Sequence, residues 1–146
     1  MSAMARLLAL TLTLTWALLV GCSRPPPEQA LRETMQSIQF AIEQRDASQV
    51  EDHLADDFVG PRGMDRDGAR RLAALTFLRH RDVGVTLGPL DVSVLREHAT
   101  VRFDAALTGG SGRALPDAAR LYDVETGWRL VDGDWRLTSA RWTPRL

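Results

Sequence analysis

The chain reads as an α+β domain, with helices first and an antiparallel sheet after them. Apolar residues recur at helical spacing from about Glu28 to Arg81. Beyond Asp82 they alternate with polar residues at period two. Asp132-Gly133 lies between two such alternating runs, where it supplies the positive φ angles of a tight hairpin.

The first 21 residues stand apart from that domain. Leu7 to Val20 (LLALTLTLTWALLV) is uncharged and follows Arg6. It has the length of a secretory signal core and falls short of the about 20 residues that span a bilayer as a helix. It closes on Leu19-Val20-Gly21-Cys22, which holds the only cysteine. This stretch resembles a bacterial lipoprotein signal and its lipobox. The resemblance implies cleavage between Gly21 and Cys22, with lipid on the thiol and on the freed amine of Cys22. One acyl chain holds a protein only marginally, at roughly 0.8 kcal/mol per buried CH₂, whereas several together anchor it stably.

Ser23-Arg24-Pro25-Pro26-Pro27 reads as a tether. Its prolines favour extended polyproline II at about 3.1 Å per residue, a reach on the order of 15 Å. Ser23 replaces the aspartate that marks inner-membrane retention in this class. The expected location is therefore the bacterial cell envelope, at the outer membrane and facing the periplasm. The organisation is a signal over 1–21, a lipidated cysteine and tether over 22–27, and a folded domain over 28–146.

Within that domain, Leu31, Met35, Ile38 and Ile42 form one stripe and predict a helix from Glu28 to about Arg45. Pro27 suits its first turn and Glu28 its positive pole. Asp46 or Ser48 caps a second helix whose buried row is Val50, Leu54 and Phe58. Gly60-Pro61-Arg62-Gly63 breaks the chain. Asp65 or Asp67 caps a third helix to Arg81, with Leu72, Leu75 and Leu78 facing inward. Arg79, His80 and Arg81 complement its negative pole.

Val83, Val85 and Leu87 begin the strands, and Leu90, Val92 and Val94 continue them. Gly88-Pro89 between the two runs predicts a bulge or bend in one long edge strand. A turn at Glu97-His98 leads to Val101, Phe103, Ala105 and Leu107, and Gly109 to Pro116 forms a loop. Leu121 to Val131 and Trp135 to Trp142 make the closing hairpin.

Composition narrows the function. The chain has 18 basic and 19 acidic side chains, a net charge of −1, and every basic residue except histidine is arginine. No basic excess points to nucleic acid. With Cys22 lipidated, no thiol remains for a disulfide or a cysteine metal site. No phosphate-binding glycine motif is present, and no cofactor is expected.

The order of elements, ending in Trp128-Arg129-Leu130-Val131-Asp132-Gly133-Asp134-Trp135-Arg136-Leu137, resembles the NTF2-like superfamily, which includes SnoaL-like and ketosteroid isomerase-like proteins. The resemblance covers about Glu28 to Trp142. It implies a curved sheet wrapped around the N-terminal helices as a cone with an open pocket. Members of that superfamily include isomerases, dehydratases and epoxide hydrolases, and others that only bind or dimerise. Fold analogy alone does not choose among these.

Several residues are candidates for a site. His53, Asp56 and Asp57 share a face if the second helix runs through them, although a solvated helix face explains them better. The resemblance implies that proton-shifting members use strand carboxylates in an apolar pocket, where desolvation raises the pKa. Asp104, Asp123 and Glu125 are placed on strands, and Asp104 and Asp123 are the candidates. Their parity, opposite to Phe103 and Val124, favours surface ion pairs. Tyr122, Trp128 and Trp135 are the pocket candidates, the first as a phenol able to donate to a ligand oxygen. No metal site is expected. The resulting expectation is a non-catalytic ligand-binding or assembly module. Its expected partners are the membrane through Cys22, a small apolar ligand or an envelope protein, and a second copy through the sheet. The alternative is an acid–base enzyme using Asp104, Asp123 or Tyr122.

Overall fold

Leu31 and Met35 point from one face of the first helix into the core, with Ile38 packed beside them, as their spacing requires. The computed structural model describes residues 24–110 and 118–145, so the signal, Cys22 and Ser23 lie outside the described residues. Helix α1 (Pro27–Glu43) starts on proline, which has no N–H to leave unsatisfied there. It ends where Arg45 turns left-handed at φ 57°, so that Asp46 N–H reaches back to the Ala41 carbonyl at 2.9 Å.

Asp46 then caps α2 (Ala47–Asp52), its carboxylate accepting from the Ser48 and Gln49 N–H groups. This helix is shorter than the sequence predicts. His53 closes it, and Leu54–Val59 forms strand β1. Leu54 and Phe58 are both buried, and a spacing of four satisfies a strand face as well as a helix row. Pairing decides the matter, because β1 lies parallel to the last strand, with Leu54 opposite Leu137. The sheet is therefore mixed and not wholly antiparallel.

Asp65 caps α3 (Arg66–Arg79) through a 2.7 Å bond from Gly68 N–H. Its leucines do not face inward. Leu72, Leu75 and Leu78 are 46%, 52% and 83% exposed, and Phe77 is the residue that enters the core. Ala69, half-buried Ala73 and Phe77 form the inward row at intervals of four.

Strands β2 (Asp82–Leu87), β3 (Asp91–Leu95), β4 (His98–Gly110), β5 (Ala118–Val131) and β6 (Asp134–Pro144) complete the sheet, in the order β1-β6-β5-β4-β2. The predicted long edge strand is two strands, β2 and β3, which pair successive parts of β4. Between them Gly88 N–H bonds the Asp104 carbonyl at 2.8 Å. A Cβ on Gly88 would stand 3.3 Å from that carbonyl, so glycine suits the close approach. The next turn falls one residue early, on Arg96 and Glu97, with Arg96 at φ 56°. Asp132 and Gly133 turn the closing hairpin at φ 51° and 87°, the primed geometry their types favour.

One bulge shapes the inner face. Trp128 pairs with Leu137 and Gly127 with Ser139, which leaves Thr138 without an opposite residue. The inward row on β6 consequently shifts from Trp135 and Leu137 to Ala140. The core cluster lies entirely between Leu31 and Ala140.

Candidate functional site

Between α1 and the sheet lies a cavity of about 160 Å³. Ile38 and Ile42 wall it from the helix, Val85 and Phe103 from the sheet, and Trp128 closes one side. Three hydrogen bonds engage polar groups of its lining. Gln39 Nε2 donates to the Val85 carbonyl at 2.7 Å, which also fastens α1 to β2. Trp128 Nε1 donates to Thr126 Oγ1 at 2.9 Å, and Thr126 donates onward to the Val101 carbonyl at 3.1 Å. The lining contains no acidic or basic side chain and no histidine.

The three aromatic candidates do not meet in this cavity. Trp128 lines it. Trp135 is buried at the start of α1, where its Nε1 donates to the Pro27 carbonyl at 2.9 Å. It borders a different cleft with Arg24, Pro25 and His53, so part of the expected tether packs against the domain. Tyr122 is half-buried and lines a third space of about 310 Å³ beside the end of α3.

The carboxylate candidates are on the opposite face of the sheet. Asp104 and Asp123 are directly paired across β4 and β5, and their side chains are 55% and 54% exposed. Two like charges so placed repel. Arg145 lies between them, at 3.2 Å from Asp104 and 2.9 Å from Asp123. Arg102, Glu125 and Arg141 form a second surface ladder beside this group. Neither aspartate faces the apolar cavity.

His53, Asp56 and Asp57 do not share a helix face, because the chain changes from helix to strand after His53. Asp56 bonds Arg66 at 2.8 Å, and Asp57 accepts two bonds from Arg129. Those bonds hold the Asp57 carboxyl below its ordinary value. Burial holds His53 below the usual imidazole value, and the charge of Arg136 adds to this while Asp52 opposes it.

Similar architectures occur among solved structures. A protein from Salmonella enterica serovar Typhimurium, described as of the NTF2-like superfamily, aligns over 81% of this chain and 90% of its own, with a TM-score of 0.68 at 16% identity. A candidate dehydratase of the NTF2-like family from Streptomyces avermitilis aligns over 81% and 95%, with a TM-score of 0.69 at 19% identity. The fold is NTF2-like. Bd1075 of Bdellovibrio bacteriovorus contains a similar arrangement, with a TM-score of 0.71 at 12% identity, and this chain spans 41% of its length. No family model and no curated protein matches the sequence. At these identities the likeness concerns the NTF2-like fold alone.

Some parts of the NTF2-like interior escaped sequence reasoning. The bonds of Gln39 to the Val85 carbonyl and of Thr126 to the Val101 carbonyl join residues far apart in the chain, and no local pattern marks them. Phe103 was legible as an inward residue but not as a cavity wall.

Proposed function

We propose that this chain is a lipid-anchored, non-catalytic binding module of the bacterial envelope, with a small apolar ligand held between α1 and the sheet. The observation that carries this reading is the cavity lining, which has no group able to give or take a proton near neutral pH. An apolar cavity of about 150 Å³ stays dry and binds benzene or xenon. The pocket here has a similar volume, about 160 Å³, but is only partly enclosed, and it suits one small ring or a short branched chain. The anchor on Cys22 and the outer-membrane location rest on the signal sequence. The charged outer face of the sheet is the surface where a second copy or an envelope protein would dock.

A second reading, acid–base catalysis, is favoured by Tyr122 and His80, which line the neighbouring cleft together. Native mass spectrometry tests the first reading, using the mature chain with Cys22→Ser purified gently from a periplasm. A retained small apolar molecule is the expected result. Turnover of a small carbonyl or epoxide substrate by the same preparation would establish the enzyme instead.

A further inference from the structure

The cleft beside Tyr122 differs chemically from the apolar cavity. Arg79 and His80 from the end of α3, Arg120 and Tyr122 from β5, and Thr76 and Thr108 line its about 310 Å³. Among the described residues, the lining contains no carboxylate. Elsewhere on the sheet arginines are matched with acids, as Arg102, Arg129, Arg141 and Arg145 are. Among the described residues, Arg79 and Arg120 form no ion pair. The C-terminal pole of α3 supplies roughly half a negative charge, against two guanidinium charges, so the cleft stays positive.

Its walls are closely fitted. The His80 ring lies over Gly109, where a Cβ would come within 3.0 Å of Nδ1. A larger residue there would push the ring away from β4 by a few tenths of an ångström. The cleft also adjoins the apolar cavity along the inner face. Tyr122 of the cleft is the cross-strand partner of Ala105 in the cavity wall, and Leu107 of the cleft is the partner of Val85. Such partners stand about 5 Å apart, close to the length of one aromatic ring.

From this juxtaposition we infer that the cleft binds the carboxylate of a small organic acid whose apolar body extends towards the cavity. Arg79 and Arg120 supply the charge, and the Tyr122 hydroxyl donates to a carboxylate oxygen. Charge-assisted bonds of this kind are about twice as strong as neutral ones, so the acid should bind in preference to its neutral analogue. The inference rests on the binding reading above for the apolar half of the ligand, and the two fail separately.

The test compares benzoate, benzamide and toluene by NMR titration of the mature chain with Cys22→Ser. The expected result is benzoate binding at least about tenfold tighter than benzamide. That preference should disappear in the doubly substituted Arg79→Gln, Arg120→Gln protein and weaken in Tyr122→Phe. Both arginines are exposed, so the fold tolerates their replacement. Equal affinity for benzoate and benzamide, or an unchanged preference in the double variant, overturns the inference. Toluene binding in that case leaves the cavity reading standing, and failure of all three probes overturns both.

Discussion

Trp128 donates its indole N–H to Thr126 Oγ1 at 2.9 Å, and both residues line the apolar cavity. The pair consumes the polar capacity of that wall. Thr126 is buried and spends its own proton on the Val101 carbonyl. Thr126→Val should therefore strand a buried indole N–H and lower stability by about 1–3 kcal/mol, whereas Thr126→Ser should retain most of it. Urea denaturation of the two variants measures the difference.

Ala105 lines the cavity from β4. If the space is open, Ala105→Leu fills it at little cost and weakens toluene binding at least about tenfold. A loss of about 1–3 kcal/mol, typical of an overpacked core, would instead show that the cavity is already occupied by neighbouring side chains. Thermal denaturation with and without toluene distinguishes these outcomes.

Arg145 separates Asp104 from Asp123 on the outer face. All three side chains are more than half exposed, so Arg145→Ala should cost less than about 1 kcal/mol, and less still at high salt. Asp104→Asn and Asp123→Asn should leave ligand affinity unchanged. A substantial change in affinity by calorimetry would return these carboxylates to the site.

His53 gives a pH dependence of definite sign. Its pKa is held below 6.5 in the folded protein, so the unfolded chain takes up the proton first as pH falls. The contribution is fully present above pH 6.5 and is lost as pH drops through the folded value. His53→Gln should flatten the fall in stability below about pH 6.5. Denaturation midpoints across that range, for both proteins, supply the comparison.

The outward leucines of α3 make a further contrast. Leu78→Ser should change stability by no more than about 0.5 kcal/mol, because that side chain is already in water. Phe77→Ala should cost about 3–5 kcal/mol. Equilibrium unfolding of the two variants decides between this arrangement and the one hydropathy suggests.

Much of the architecture was legible because it is local. The α1 stripe, the Asp46 and Asp65 caps and the Asp132-Gly133 turn each follow from residues within one or two turns of chain. Strand β1 was not legible, since Leu54 and Phe58 fit either period and pairing with distant β6 settles it. The α3 leucines misled too, because the face that turns inward is the one carrying Ala69, Ala73 and Phe77. Among candidate site residues, parity correctly placed Asp104 and Asp123 outside. It did not show that Tyr122, Trp128 and Trp135 line three separate spaces, since that depends on where α1 and α3 cross the sheet.

A crystal structure of the Cys22→Ser chain under xenon pressure tests the central claim most directly, because xenon enters dry apolar cavities. Xenon density among Ile38, Ile42, Phe103 and Trp128 is the predicted result. Side chains packed through that space, with no xenon there, would contradict the account.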